Sequence, residues 1–144
     1  ISGNHDHSGY KYSGTNIVKH ICEYRDDFRY LGMGEGVLNI FGKQIFVYHG
    51  RGGGTPSTRL INAHRYATDL GLQPDILLAG HLHQDCRMDI RGCECILARS
   101  FQGQTLHFKE SRLISQIGWA IVHVTPTGTW VEHARMDEIK EDYP

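Results

Sequence analysis

Several features that mark other protein classes are missing from this sequence of 144 residues. No apolar run approaches the roughly 18 residues that a helix needs to span a bilayer, so we expect no membrane partner. Neither charge sign is in excess, since 15 basic and 16 acidic residues give a formal net charge of −1. The chain therefore has no global field that would attract nucleic acid or anionic lipid. The sequence also lacks internal repeats and linkers, which favours one domain over residues 1–144.

Cysteine is scarce, and three of the four cysteines lie close together. Such a cluster can indicate a zinc site or a disulfide. However, a two-residue turn at Arg91-Gly92 would make the residues on either side of it the strands of a hairpin. Cys86, Cys93 and Cys95 then share one apolar face, where free cysteine behaves as a small hydrophobic residue. We therefore predict core cysteines, a reducing setting and a cytoplasmic location.

The remaining pattern predicts an α/β chain in which helices separate some of the strands. A polar loop is expected over residues 2–13, followed by a helix that Thr15 or Asn16 caps and that ends near Asp27. A second helix is predicted from a cap at Thr55-Pro56 to Gly71. The predicted strands, including hairpins around Gly42-Lys43 and residues 126–128, cover residues 37–41, 44–48, 76–79, 119–124 and 129–134.

Three glycine-flanked clusters of polar side chains follow predicted strands. They are Gly3-Asn4-His5-Asp6, His49-Gly50 and Gly80-His81-Leu82-His83. Metal ligands in α/β proteins lie in loops at strand ends, because a rigid sheet fixes where each loop starts. Imidazole suits zinc, iron and manganese, and an amide oxygen tolerates a hard ion. The sequence therefore predicts that folding gathers Asn4, His49, His81 and His83 into one metal site.

The order and rough spacing of these three clusters resemble the last three motifs of the calcineurin-like metallophosphoesterases. The stretch from Glu94 to Ser100 is similar to the strand and serine-ended turn that follow the histidine pair in that family. The segment from Trp119 to Glu132 resembles its closing hairpin. The resemblance implies a fold that is the C-terminal part of a four-layer α/β/β/α sandwich, with a mixed sheet and terminal hairpins.

The resemblance also implies a role for each matching residue. Asn4, His49 and His81 would bind one metal ion, and His83 would bind the other. His5 would stabilise the developing charge or protonate the leaving group, and Asp6 would orient it. The implied function is hydrolysis of phosphomonoesters or phosphodiesters by a hydroxide held between two divalent ions, such as manganese, iron or zinc.

The sequence lacks the aspartate motifs with which the family pattern begins. The family's Asp-x-His and Gly-Asp-x-x-Asp motifs, which would precede Gly3, are absent from the 144 residues. We therefore expect residues 1–144 to be a single metallophosphoesterase domain without its N-terminal portion, and that portion is an expected partner. Without the bridging carboxylate, the chain alone is expected to hold at most one weakly bound ion and to be inactive.

Several interpretations stay open at the level of sequence. Family branches that act on DNA make a nucleic-acid substrate possible, although the near-neutral charge does not support one. A catalytically silent scaffold, such as a small polymerase subunit, and a mononuclear metal-binding module are the alternatives to an enzyme. Arg51, in the glycine-rich loop after His49, could contact a substrate phosphate. Polar side chains between Arg99 and Gly118 could line a substrate groove, although a solvated connection is preferred.

Overall fold

The computed structural model describes residues 1–51, 54–103, 110 and 115–136. Three helices and seven strands lie in these ranges, in the order α1, α2, β1, β2, α3, β3, β4, β5, β6 and β7. The helices are α1 (Asn4–Ser13), α2 (Ile17–Glu23) and α3 (Pro56–Asp69). The strands are β1 (Glu35–Ile40), β2 (Lys43–Tyr48), β3 (Ile76–Ala79), β4 (Cys86–Ile90), β5 (Cys93–Leu97), β6 (Gly118–Thr125) and β7 (Gly128–Arg135). None of the described helices has the length and apolar character needed to cross a membrane.

Five strands form a mixed sheet in the order β1-β2-β3-β5-β4. The three central strands β2, β3 and β5 run parallel, and the edge strands β1 and β4 are antiparallel to their neighbours. The parallel register places Tyr48 beside Ala79 at the carboxyl ends of β2 and β3. Both strands therefore release their following loops at the same edge of the sheet.

The two faces of this sheet bury different side chains because residues alternate along each strand. One face packs Phe46, Leu77 and Cys95 against Leu60 and Ala63 of α3. The opposite face packs Ile45, Ile76 and Ile96 against the hairpin formed by β6 and β7. Helix, sheet and hairpin are thus three successive layers. The predicted fold class, an α/β chain with a mixed sheet and terminal hairpins, is confirmed.

The N-terminal segment departs from the prediction. Most of the expected polar loop over residues 2–13 is helix α1, whose first turn is held by a hydrogen bond from Gly3 N to the Asp6 carboxylate (2.7 Å). At its other end Gly14 adopts a left-handed conformation, and its N–H donates to Tyr10 O over 2.8 Å. No residue of α1 is buried. The helix therefore has no apolar periodicity by which the sequence could have revealed it.

Helix α2 begins as predicted but ends early. The Asn16 side chain caps it by accepting a hydrogen bond from Lys19 N (3.0 Å). The helix ends at Glu23 rather than near Asp27. Tyr24 N donates to Ile21 O, three residues back instead of four, and this tighter turn closes the helix. Helix α3 matches the prediction closely: Thr55 caps it by accepting from Thr58 N, and Gly71 follows its end with φ = 76°.

Two predicted turns are displaced by one residue. In the first hairpin Ile40 pairs with Lys43, so the turn is Phe41-Gly42 rather than Gly42-Lys43. Both turn residues have positive φ, 50° and 78°, as a tight turn between twisted strands requires. In the last hairpin Thr125 pairs with Gly128, which moves Gly128 from the predicted turn into β7.

The cysteine hairpin forms as predicted around Arg91-Gly92. Cys93 and Cys95 are buried on the face that packs against α3, and Cys86 is half-buried beside them. All are free thiols. The core interpretation of these cysteines is confirmed.

A partly buried polar network attaches the β6–β7 hairpin to the sheet. The Arg99 guanidinium donates to Asp85 Oδ2 (2.7 Å) and to the carbonyl oxygen of Ala134 in β7 (3.2 Å). His133 Nδ1 of the same strand lies 3.0 Å from Asp85 Oδ1. Gln116 accepts from Asp85 N (2.6 Å) just before β6 begins. Most of the predicted groove between Arg99 and Gly118, including Gln104, His107 and Lys109, lies outside the described residues.

Candidate metal centre

The parallel pair β2 and β3 positions two of the predicted ligands. His49 directly follows Tyr48, and His81 lies two residues after Ala79, the register partner of Tyr48. Gly80 N donates to Tyr48 O (3.1 Å), which holds the two strand ends together beyond the last register pair. The sheet therefore delivers both histidines to one edge.

Asn4 reaches the same edge through a short strand-like contact. Ser2 is fully buried and bridges to Met33, and its N–H and carbonyl bond to Gly32 O (3.1 Å) and Gly34 N (2.9 Å). Gly34 O in turn accepts from His49 N (2.7 Å). This chain of backbone bonds fixes the start of α1 beside the end of β2. As a result, Asn4 Oδ1 lies 2.7 Å from His49 Nε2, although the two residues are 45 positions apart.

Two glycines allow this close approach. A Cβ on Gly3 would lie 2.7 Å from His49 Cε1 and 2.9 Å from its Nδ1, so a larger residue there would displace the imidazole ring. Gly50 has φ = 95°, and a Cβ there would lie 3.2 Å from both Gly80 O and His81 Cβ. Both glycines are therefore required by the packing of the site.

The distances suit a shared divalent ion. With a metal–nitrogen distance of about 2.0–2.1 Å, tetrahedral ligation places two imidazole centroids about 5.3 Å apart. The ring centroids of His49 and His81 are 5.0 Å apart, with the planes inclined by 67°. In the same tetrahedral arrangement neighbouring ligand atoms are about 3.3 Å apart, so Asn4 Oδ1 and His49 Nε2, which form a hydrogen bond of 2.7 Å, would have to separate slightly. Asn4, His49 and His81 thus lie close enough to share one ion once that hydrogen bond is broken.

The surroundings of His49, His81 and His83 favour the neutral form of their side chains. Burial lowers the pKa of His49, and nearby His5 and His83 lower it further while Asp6 opposes them. Burial also lowers the pKa of His81, followed by the effects of His49 and Arg59. The pKa of His83 is lowered by burial and then by His5. Neutral imidazole is the form that binds metal, so this environment favours ligation.

The tautomer of His49 is tied to its contact with Asn4. An amide oxygen only accepts hydrogen bonds, so His49 Nε2–H donates to Asn4 Oδ1 in this structure. Ligation through Nε2 requires that this proton moves to Nδ1. The hydrogen bond therefore occupies the atoms that would face an ion, and binding would exchange one interaction for the other.

The loop that carries His81 and His83 has an unusual backbone. Both residues adopt positive φ, 78° and 56°, which is disfavoured for non-glycine residues. Between them Leu82 is buried in the α3-facing core. The carbonyl of His83 accepts a hydrogen bond from Gln116 N (2.7 Å). Such conformations cost about 1–3 kcal/mol each and cluster at functional sites, which supports a role for both side chains.

His5 and Asp6 both lie in the first turn of α1. The effect of His5 on the pKa values of His49, His81 and His83 places it in the same cluster. The Asp6 carboxylate accepts the hydrogen bond from Gly3 N that begins the helix. Asp6 thereby fixes the helix turn that presents Asn4 and His5, and the predicted catalytic role of His5 stays a prediction.

A second ion has less support from the geometry. Within the described ranges, no three side chains from His, Cys, Asp and Glu are close enough to share an ion. The centre therefore consists of two histidines and an amide oxygen, all neutral ligands. His83, the predicted ligand of the second ion, belongs to no such group among the described residues.

A cavity of about 420 Å³ opens beside the centre. Asn4, His49 and Arg51 line it together with His7. Arg51 thus lies on the wall of the same cavity as two candidate ligands, and its contact with a substrate phosphate stays a prediction.

Sequence reasoning overlooked one charged residue near the centre. Arg59 of α3 is buried, whereas most arginines are exposed. Its position four residues before Ala63 and eight before Ala67 places it on the apolar stripe of the helix. A charged residue on that stripe was the signal that could have identified it.

Comparisons with known proteins support the fold. No protein-family model matches the sequence, and no curated protein matches it. Among solved structures, a novel archaeal phosphodiesterase matches with a TM-score of 0.55 and 11% identity, over 85% of this chain and 62% of its own. A single mutant of Vps29 from Entamoeba histolytica matches with a TM-score of 0.51 and 15% identity, over 78% of this chain and 66% of its own.

These neighbours define an architecture rather than an activity. Both have the calcineurin-like metallophosphoesterase fold, and this chain has an α/β structure that matches them. At such low identities the likeness concerns the fold alone. The chain spans less than two thirds of the length of either structure, 62% of one and 66% of the other.

Proposed function

We propose that this chain carries the histidine-rich part of a metal-dependent phosphoesterase site, which hydrolyses phosphomonoesters or phosphodiesters. The observation that carries the proposal is the meeting of Asn4 Oδ1 and His49 Nε2 at 2.7 Å, with the His81 ring 5.0 Å from that of His49. The fold that the chain shares with an archaeal phosphodiesterase is consistent with it.

Asn4, His49 and His81 would hold one divalent ion, for which manganese, iron and zinc are the candidates. His83 would contribute to a second. A divalent ion bound there supplies Lewis-acid stabilisation of charge on a phosphoryl oxygen. The neutral imidazoles hold it without adding negative charge, so they leave its attraction for phosphate undiminished.

The other residues of the cluster would act on the substrate. A ring N–H of His5 would donate its proton to the leaving oxygen, a contribution of about 10²–10⁴ in rate. Asp6 would keep His5 in place by fixing the first turn of α1. Arg51, on the wall of the 420 Å³ cavity, would bind the phosphate through its guanidinium.

A two-metal site would need further carboxylate ligands, since no three described His, Cys, Asp or Glu side chains are grouped closely enough to share an ion. We propose that another segment of polypeptide supplies them, and that the 144 residues alone bind one ion. A catalytically silent scaffold is the second candidate, since the neutral ligand set by itself gives no charge to bind a metal pair.

The experiment is hydrolysis of bis(p-nitrophenyl) phosphate with manganese by the protein as its gene encodes it. His81→Ala and His5→Ala are compared with His64→Ala, which changes a histidine of α3 that lines a different cavity. We expect the first two substitutions to lower turnover at least about 100-fold and the third to leave it unchanged. If all three variants turn over like the parent, the proposed function is wrong. No turnover in the parent would favour the scaffold.

A nucleic-acid substrate is tested separately, with labelled DNA at low and high salt. Phosphate contacts make such binding fall steeply as salt rises. Absence of binding at low salt would remove nucleic acid from the substrates of this site.

A further inference from the structure

Two nitrogen atoms of the buried Arg59 side chain have no hydrogen-bond partner among the described residues. Arg59 lies in the first turns of α3 and is only 8% exposed. Its Nε and Nη2 atoms are both buried, and neither has a hydrogen-bond partner in the described part of the chain. Burial lowers the pKa of Arg59, although a guanidinium stays charged at neutral pH. An unpaired buried charge is costly, so this arrangement indicates a place for an anion.

Arg59 faces a small cavity beside the metal centre. The cavity has a volume of about 80 Å³ and lies between the carboxyl ends of β2 and β3 and the start of α3. Gly50 and Gly80, which flank His49 and His81, form part of its wall. Arg51, in the loop that follows β2, also lines it, so two arginine residues border one space.

The described lining of the cavity holds no carboxylate that could neutralise these arginines. None of the described residues that line the cavity is Asp or Glu, and residues 52 and 53, which lie outside the described ranges, are glycines. Glu35, on the α3-facing side of β1, hydrogen-bonds to Tyr66 instead. The cavity is therefore positively charged and uncompensated. The positive end of the α3 dipole adds to this, since α3 begins three residues before Arg59.

We propose that Arg59, together with Arg51, binds a phosphate-type oxyanion in this cavity. The cavity is several times larger than the roughly 10–15 Å³ that one water needs, which gives room for a single tetrahedral anion but not for a nucleotide. A guanidinium bonds two oxygens of a phosphate at once through its planar fork. Two guanidiniums on different walls suit a tetrahedral anion better than a planar carboxylate, which one fork satisfies.

This site borders the one proposed for hydrolysis and shares Arg51 with it, but no proposed metal ligand contributes a side chain to its described lining. The anion is either free inorganic phosphate or a second phosphate group of the substrate. Both present the same oxygen atoms to Arg59. They differ because the second phosphate group belongs to a molecule whose phosphoester lies at the metal centre, whereas inorganic phosphate is free.

The test is titration of the 144-residue chain with inorganic phosphate at constant ionic strength, with a chelator present to remove metal. Arg59→Met keeps the length and apolar stem of the side chain, and Arg65→Met is the matched control on the exposed side of α3. We expect Arg59→Met to weaken phosphate binding at least about tenfold, and Arg65→Met to bind like the parent. Acetate should bind neither protein appreciably.

The thermal unfolding temperature is a second readout. A purely structural role of Arg59 predicts that Arg59→Met lowers this temperature, whereas the proposal predicts that it does not. Removing an uncompensated buried charge should leave the phosphate-free Arg59→Met variant at least as stable as the parent. Its unfolding temperature should no longer rise with phosphate. If Arg59→Met instead lowers the unfolding temperature without phosphate and still binds phosphate like the parent, the proposal is wrong. Absence of phosphate binding by the parent would overturn it as well.

The source of the anion is distinguished with manganese present, by comparing propyl phosphate with 1,3-propanediol bisphosphate. Binding of the bisphosphate at least tenfold tighter than the monophosphate, and loss of that difference in Arg59→Met, assigns a second phosphate of the substrate. If the parent binds propyl phosphate and the bisphosphate equally, and Arg59→Met still binds inorganic phosphate more weakly, the anion is free phosphate. Equal binding of every ligand by Arg59→Met and the parent contradicts both. Because the chelator titration needs no metal, its failure is distinguishable from failure of the hydrolytic function.

Discussion

Replacing Gly3 with alanine should displace a metal ligand without disturbing the backbone. Gly3 has φ = −103° and ψ = −171°, an extended conformation that alanine adopts freely. The new methyl group would lie 2.7 Å from His49 Cε1, however, well inside van der Waals contact. The imidazole must therefore move, which breaks its 2.7 Å contact with Asn4 Oδ1. Overpacking of this kind costs about 1–3 kcal/mol of stability.

The main effect of Gly3→Ala should be weaker metal binding rather than unfolding of the chain. Residues that hold a ligand in position typically contribute 10–100-fold to metal affinity, and we expect a decrease of that order for Gly3→Ala. Calorimetric titration with zinc or manganese at neutral pH measures it. Gly9→Ala is the control, because a Cβ at Gly9 meets nothing within 4 Å. Since Gly9 lies within α1, that variant should be about 0.5–1 kcal/mol more stable than the parent.

The outcome would refute the reasoning if Gly3→Ala bound metal as tightly as the parent and Gly9→Ala. In that case the His49 ring either does not hold the ion or lies elsewhere when the ion is bound. Weakened binding in both variants would also contradict it, since the effect would then belong to α1 as a whole.

Three further predictions concern the loop, the polar network and pH. His81 has φ = 78°, so His81→Gly should be about 1 kcal/mol more stable in urea unfolding than His81→Ala, and equal stability would exclude the strain. Asp85→Ala leaves the Arg99 guanidinium buried without its ion pair and should cost about 3–5 kcal/mol, whereas a loss below 1 kcal/mol would show that the network is not needed. Burial lowers the pKa values of His49 and His81, so below pH 6.5 the unfolded chain binds more protons than the folded one. Stability should fall as pH drops through that range, and unfolding temperatures that do not change between about pH 7.5 and 5 would contradict this.

Much of the fold was predictable because local signals agreed with the tertiary structure. The Thr55 cap with its following proline fixes the start of α3, and the apolar run at β3 fits a strand that is buried on both faces. The hairpin of Cys86–Ile90 and Cys93–Leu97 follows from alternation alone, because one face is apolar throughout.

Other elements were not predictable because their determinants are not periodic. Helix α1 buries no residue, so its local determinants are confined to its two ends, the bond from Gly3 N to Asp6 and the left-handed Gly14. The turn at Phe41-Gly42 places an aromatic residue at positive φ, a choice set by strand register rather than by the preference of phenylalanine.

The candidate site was predictable in its residue types but not in its geometry. The glycine-flanked clusters identified Asn4, His49 and His81, which the sheet does bring together. The contact of Asn4 with His49 depends on the bridge from Ser2 to Met33, for which the sequence holds no signal. The positive φ values of His81 and His83 likewise come from the anchoring of Leu82 in the core.

The most direct measurement of the central claim is a crystal structure of the chain grown with manganese, with anomalous scattering recorded at the manganese edge. We expect one strong peak per chain, within about 2.0–2.3 Å of Asn4 Oδ1 and of an imidazole nitrogen of both His49 and His81. The same data from His81→Ala should show the peak lost or greatly reduced. Absence of a peak between these three side chains, or a peak that persists unchanged in the variant, would contradict the metal centre.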